Sequence, residues 1–281
     1  MTSATDPAAR VSRDTPAVWT VWTTAARDLG RRWRSGAPEA PARHDRRLEA
    51  MAALLLCVAI VVTGVVADTA VARAAHGLSP SVVRFFSEVT KIGESGWIFL
   101  LAAIVALGSL LLARRVAPRA AAGYEVLAGR ATFLFATNAL SGIASQVLKH
   151  IAGRARPKYL DMVGPFHFDL FSLNASYASF PSGHTITAFA CASAMALFLP
   201  RWRWPLLALA ALVALSRLAV GAHYPSDVLA GAIIGVATTF YLARACAARR
   251  LVFRRGPDGR LDLRGRGLIW PALVGLRERN R

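Results

Sequence analysis

Three stretches of the chain, Met51 to Ala67, Trp97 to Ala113 and Leu206 to Leu215, carry no charged residue at all. Blocks of this kind approach the ~17–25 residues that a helix needs to cross a hydrocarbon core. The whole chain is 55% apolar over 281 residues, whereas soluble domains of that size lie nearer ~45–50%. Disorder is excluded, because it requires low hydrophobicity. The expected fold is therefore all-α, a polytopic membrane protein. Six candidate spans fall at roughly 48–67, 96–113, 124–148, 183–199, 204–221 and 225–246, forming a six-transmembrane-helix bundle.

Charge then orients the bundle. Lys and Arg number 34 against 16 Asp and Glu, a formal net charge of +18. Such an excess would suit nucleic acid, but here the Arg residues sit in tails and in loops between apolar blocks, so no nucleic-acid partner is expected. Anionic lipid headgroups at the basic tails fit better. The basic residues concentrate before residue 48, at 114–119, at 201–203 and after residue 243. Fewer lie on the opposite side, where Arg154 is one of the loop charges. Both termini are thus expected in the cytoplasm of an inner-membrane protein, with the loops after spans 1, 3 and 5 outside.

The division is a basic tail over 1–47, a membrane domain over 48–247 and a second basic tail over 248–281. In the first tail Trp19, Trp22, Ala26, Leu29 and Trp33 recur at helical spacing. This is either an amphipathic helix lying in the interface or a disordered basic segment. Cys57, Cys191 and Cys246 lack paired spacing and are read as small buried hydrophobes.

Three clusters on the outer side carry chemistry. Lys149 and Arg156 stand seven residues apart at the end of span 3. On a continuous helix they would share a face, about 10 Å apart along the axis, and suit a common phosphate; a snorkelling basic helix end is the simpler alternative. Pro181-Ser182-Gly183-His184 precedes span 4. Ser182 suits a helix cap, Gly183 permits close backbone approach, and free N–H groups there can hold an anion, although a plain helix start bearing a stray His reads the same way. Ser216-Arg217, His223 and Asp227 flank the turn between spans 5 and 6. Asp227 lies in the first turn of a helix, from which it either reaches back to Nδ1 of His223 and fixes its tautomer or merely caps the helix. No acidic cluster able to hold a divalent cation and no Gly-rich phosphate loop is evident, so no metal or cofactor is expected.

In order and spacing, Lys149-x6-Arg156-Pro157, Pro181-Ser182-Gly183-His184 and Ser216-Arg217-x5-His223-x3-Asp227 resemble the three-part signature of the type 2 phosphatidic acid phosphatase family. That family also includes bacterial acid phosphatases and vanadium haloperoxidases. The resemblance spans residues 149–227 and leaves both tails out. It implies a phosphohistidine mechanism at the extracytoplasmic ends of the helices. His223 would be the nucleophile, Asp227 its orienting carboxylate and His184 the acid and later the base. Lys149, Arg156, Arg217, Ser182 and Gly183 would bind the phosphate oxygens.

A membrane scaffold around such a site favours a lipid substrate: a polyprenyl pyrophosphate such as undecaprenyl pyrophosphate, phosphatidate, phosphatidylglycerol phosphate or a lipid A headgroup. The alternatives are phosphoryl transfer to a lipid acceptor, vanadate-dependent halide oxidation, and a non-catalytic lipid-phosphate binding protein. Within span 3, Asn138, Ser141, Gly142, Ser145 and Lys149 form a polar stripe, read as packing surface or as a groove leading to the site. The long segment from His150 to Ser182 reads as a binding or lid loop whose aromatics anchor it at the interface or line a lipid cleft. His167 and Asp169 within it are read as surface residues.

Overall fold

The computed structural model describes residues 46–265 and 267–269, so the Trp-striped segment of the first tail lies outside the described residues. The first apolar block forms one continuous rod, α1 (Arg46–Thr63), a π-helical turn (Gly64–Asp68) and α2 (Thr69–His76). Its outer face, with Leu54, Leu55, Val61, Val65 and Val66 exposed by more than half, is suited to lipid rather than water. Pro80 then opens α3 (Pro80–Lys91), at the first helical position where its missing N–H costs nothing. This helix falls between the first two expected spans, in a stretch that hydropathy assigns to a loop. Its Thr90 hydroxyl accepts from Arg217 Nη1 at 2.5 Å.

A tight turn leads into α4 (Ser95–Ala113), which packs along α5 (Pro118–Ala152). At 35 residues α5 is about 52 Å long, well beyond a hydrocarbon core. It ends at Gly153, whose φ of 56° lies in the left-handed region and whose N–H closes on the Lys149 carbonyl at 2.9 Å. A side chain there would also run into the Asp169 backbone, so both conformation and space require Gly. The helix therefore stops between Lys149 and Arg156. The expected shared helical face does not exist, because Arg156 stands on extended chain past the cap.

From Gly153 to Ser182 the chain folds into a tied-down surface segment that includes α6 (Leu160–Val163). The Ala155 N–H donates to the His167 carbonyl at 3.0 Å, that of Asp169 to Gly153 at 2.8 Å and that of Arg156 to Ser176 at 3.1 Å. Tyr159 and Tyr177 stack at 6.1 Å, whereas Phe166, Phe168 and Phe171 are exposed. Asp169 is exposed and His167 partly buried beside Tyr177.

Next come α7 (Gly183–Phe198), α8 (Arg203–Ala219) and α9 (Pro225–Ala248). Helix α7 sits centrally against α5, α8 and α9 and buries Ala188, Ala190, Ala192 and Ala194. Small residues let its neighbours come close: a Cβ on Gly235 of α9 would meet the Ile186 carbonyl oxygen of α7 at 2.6 Å. Among the described residues five helices are long and apolar enough to cross a membrane. They are Arg47–His76, Pro80–Ala113, Ala120–Ala152, Pro200–Ala219 and Pro225–Ala248. The fourth expected span, α7, has 16 residues and falls short of that length. The protein is thus a helical, multi-pass membrane protein.

Beyond α9 an antiparallel hairpin, β1 (Phe253–Arg255) and β2 (Leu261–Leu263), folds back on the bundle. Phe253 is buried against Phe133 and Phe198, with ring centroids 5.0 and 6.1 Å away, so the start of the second tail is packed structure. Of the cysteines only Cys246 is buried. Cys191 is intermediate and Cys57 is exposed on α1, where lipid rather than protein covers an apolar side chain.

Candidate active site

All three sequence clusters meet at one end of the bundle, where the C-terminal end of α5, the N-terminus of α7 and the turn between α8 and α9 converge. Packing explains the convergence. Gly231 of α9 lies so close to α7 that a Cβ there would meet the Ser182 carbonyl at 2.8 Å. The Ser182 N–H donates to the Asp227 carbonyl at 3.1 Å, which ties the start of α7 to the first turn of α9. Lys149 comes in from α5: a Cβ on Gly183 would lie 3.2 Å from its Nζ. Lys149, Arg156, Arg217, His184 and His223 are within electrostatic reach of one another.

Ser182 holds the N-cap position of α7, as its residue type suggests. Its hydroxyl accepts from Thr185 Oγ1 at 3.0 Å instead of from a backbone N–H. By helix geometry the N–H groups of Gly183, His184 and Thr185 have no intrahelical acceptor, which leaves donors at the mouth of the site. Two further atoms, Ser145 Oγ and Arg217 Nε, are buried without a hydrogen-bond partner among the described residues. A tetrahedral oxyanion would satisfy such groups.

His223 is 4% exposed, in the turn before α9. Its Nδ1 lies 2.7 Å from the carbonyl oxygen of Ser179, and a carbonyl only accepts. Nδ1 therefore carries the proton, and in the neutral ring Nε2 keeps its lone pair. Burial pushes the His223 pKa below its ordinary 6.5, and the Asp227 carboxylate opposes that push without cancelling it. The imidazole is neutral at neutral pH.

The expected Asp227–imidazole contact is replaced by a different arrangement. Asp227 Oδ2 stands 3.7 Å from Nδ1, beyond a hydrogen bond, because the Ser179 carbonyl already takes the proton. Oδ2 accepts instead from the Ser179 hydroxyl at 2.6 Å and from the Tyr224 N–H at 2.9 Å, and Oδ1 accepts from Arg154 Nη1 at 2.6 Å. Asp227 thus both caps α9 and anchors a buried polar cluster. Ser179 binds histidine and carboxylate at once, the carbonyl to one and the hydroxyl to the other.

Sequence reasoning missed Ser179, Arg154 and Asp68, which are buried here. Ser179 carries no pattern of its own. Asp68 had a signal: a carboxylate at the end of an uncharged run needs a counter-ion, and only distant residues can supply one.

The polar stripe of α5 divides in two. Asn138 and Ser141 are buried and bond back along the helix, so they pack. Gly142, Ser145 and Lys149 line a cavity of about 710 Å³ between α4, α5 and α7 that reaches His184. Phe99 and Ile143 give it apolar walls, as a lipid tail requires. Among the described residues no group of three or more His, Cys, Asp or Glu gathers to hold a metal ion.

Residues 130–251 match the family model described as PAP2 superfamily. A protein named Lipid A 1-phosphatase from Rhizobium etli is 34% identical over 209 residues, which cover 72% of this chain and 89% of that protein. One of the same name from Rhizobium johnstonii is 33% identical, covering 82% of this chain and 93% of its own. An Undecaprenyl-diphosphatase from Sulfolobus acidocaldarius is 34% identical over 94 residues, 33% of this chain and 44% of that one. Among solved structures, a transmembrane PAP2 type phosphatidylglycerolphosphate phosphatase from Bacillus subtilis aligns with a TM-score of 0.47 at 23% identity. That alignment covers 67% of this chain and 92% of the other.

Proposed function

The chain belongs to the PAP2 superfamily as a membrane lipid phosphatase, and we propose that it removes the anomeric phosphate of a lipid A-type glycolipid through a phosphohistidine at His223. The observation that carries the mechanism is the fixed tautomer: the Ser179 carbonyl holds the proton on Nδ1 and frees Nε2 within reach of the Arg217 and Arg156 cations. Nε2 attacks phosphorus in line as the P–O bond to the sugar breaks, and His184 gives its proton to the leaving oxygen. Lys149, Arg156, Arg217 and the N–H groups at the start of α7 hold the equatorial oxygens and absorb their charge. Water then attacks the phosphohistidine, losing its proton to His184, and phosphate departs with the histidine restored.

Two relatives matched over about nine-tenths of their own length bear a lipid A 1-phosphatase name, which supports a sugar phosphate as substrate. The diphosphatase match covers less than half of its relative. A polyprenyl diphosphate is accordingly the second reading, because it too presents a terminal phosphate on a lipid. The test is phosphate release from purified protein across lipid A, undecaprenyl diphosphate, phosphatidate and phosphatidylglycerol phosphate, with chelator present. Release from lipid A must exceed the others, and radiolabel must appear in free phosphate. Label accumulating in a second lipid would indicate phosphoryl transfer.

The pH dependence is also specified. Turnover requires neutral His223 and, in the substrate complex, protonated His184, which gives a bell-shaped profile. In the free site burial, and after it Arg217, His223, Lys149 and Arg156, push the His184 pKa down to about 4, so the negative charge of the bound phosphate is what raises it and supplies the protonated acid. Because burial lowers the His223 pKa, the acid limb falls below pH 6.5, and activity is lost as pH drops through it. A flat rate from about pH 4 to 9 contradicts this assignment.

The site's end of the bundle faces the periplasm in this reading. Arg114 and Arg115, Arg201 and Arg203, and the β-hairpin with Arg254 and Arg255 all lie at the other end, as positive charge on the cytoplasmic side requires. A cysteine introduced at Val116 should react with an impermeant maleimide only after the inner membrane is opened. Labelling in intact spheroplasts would reverse the orientation.

A further inference from the structure

Asp68 and Arg154 belong to none of the three clusters, yet they form a buried, densely hydrogen-bonded charged group. Asp68 is fully buried at the end of the π-helical turn in the first rod. A π turn carries one extra residue and rotates the helix beyond it, and such turns recur at functional positions. Here it directs a carboxylate inward from a helix whose outer face is apolar. Arg154 Nη2 donates to Asp68 Oδ2 at 2.7 Å, and Nη1 donates to Asp227 Oδ1 at 2.6 Å. The remaining donors are used as well: Nε and Nη2 reach the Pro165 carbonyl at 3.0 and 2.7 Å, and Nη1 reaches the Ser226 hydroxyl at 2.7 Å. Ser226 in turn donates its N–H and its hydroxyl to Asp68 at 2.9 and 2.6 Å.

Arg154 is 2% exposed, and its guanidinium lies under the Tyr224 ring at 4.4 Å. It is walled off from any phosphate that Arg156, two residues on, would touch. What it does touch is the carboxylate that sets Ser179, and Ser179 sets His223. We infer that Asp68 and Arg154 are a positioning pair that fixes Asp227 and, through Ser179, aims His223 at phosphorus. This rests on the phosphohistidine reading above.

Charge gives the pair a second consequence. Two carboxylates around one guanidinium leave the buried group with a net charge of −1, which one positive charge on His223 would balance. Asp68 keeps Arg154 from neutralising Asp227 completely. The other groups facing His223 are Arg217 of α8, Arg156 of the loop and His184 of α7. Arg217 and Arg156 work against this effect, because both cations disfavour a positive charge on His223, and the buried anionic cluster is what offsets them.

The test uses the full chain in detergent and lipid A carrying a labelled 1-phosphate, with wild type, Asp68→Asn, Arg154→Lys, their double variant and Ser226→Ala. Each single change should lower kcat roughly 10–100-fold with KM within about threefold, as loss of a supporting shell does. Asp68→Asn should also move the acid limb of kcat/KM to lower pH, since Arg154 then pairs with Asp227 alone. The double variant should lose no more than the worse single one, because the two residues act as one unit. Independent losses that multiply, or losses in kcat with an unmoved acid limb and a lowered melting temperature, would mean a merely structural pair and overturn the proposal. If Asp68→Asn does not fold, Arg154→Lys and Ser226→Ala decide by their kcat against KM, and wild-type turnover in both overturns it. Failure of the phosphohistidine reading appears elsewhere, as absence of acid-labile label on the wild-type chain.

Discussion

Replacing His223 with Ala abolishes phosphate release, by on the order of 10⁵-fold, as loss of a covalent nucleophile does in enzymes whose catalytic groups act as a unit. The variant should still bind orthovanadate, because Lys149, Arg156, Arg217 and the start of α7 stay in place. Nor should it unfold. His223 occupies a turn, and although its loss takes one donor from the buried Ser179 carbonyl, Ala leaves Ser179 held to Asp227 through its hydroxyl. Trapping wild type with labelled substrate and quenching in base should leave phosphate on the protein as an acid-labile, base-stable adduct, which His223→Ala lacks. Measurable steady turnover in His223→Ala would assign the nucleophile to another group, with His184, which interacts with His223 electrostatically, the first to test.

This outcome also separates the enzyme from a lipid-phosphate binder. Binding needs the cations and the helix N-terminus. It has no use for a histidine with a fixed tautomer or for a carboxylate cluster buried behind it. A protein that only bound lipid phosphate would tolerate Ala at 223 without consequence, whereas a catalyst cannot.

Much of this site is legible in the chain because its chemistry is written in short local patterns. The run Pro181 to His184 predicts a helix start, and α7 begins at Gly183. The apolar blocks locate α4, α7, α8 and α9 within one or two residues. Hydropathy records where the chain is greasy and not where it turns, so α3, with its mixed face, gives no such signal. Helical spacing fails for Lys149 and Arg156 because Gly153 adopts a conformation that ends the helix between them. The deeper miss is at Asp68 and Arg154. Their partnership spans 86 residues of sequence, and a count of loop charges treats Arg154 as one more exposed cation. Only packing reveals that it points inward, beneath Tyr224 and between two carboxylates.

Asp227→Asn is the second large effect, and here the hydrogen-bond directions decide it. Both carboxylate oxygens are saturated by donors: Oδ1 by Arg154, and Oδ2 by the Ser179 hydroxyl and the Tyr224 N–H. An Asn amide must turn its NH₂ toward one side or the other, and either choice sets donor against donor in a site from which water is excluded. Arg154 also loses one of its two counter-ions. Breaking a buried ion pair from one side costs about 3–5 kcal/mol, so the melting temperature should fall. The kinetic loss should be larger than that instability explains. An orienting aspartate beside a catalytic histidine is worth roughly 10⁴-fold in kcat when changed to Asn, and here the amide disturbs Ser179, which holds the histidine proton. The pH profile gives the sign: Asp227 favours the charged form of His223, so its removal moves the acid limb further below pH 6.5. Residual activity of Asp227→Asn would therefore persist at a more acidic pH than that of wild type while remaining far lower at the optimum. Near-wild-type kcat with only a lowered melting temperature would reduce Asp227 to the cap of α9.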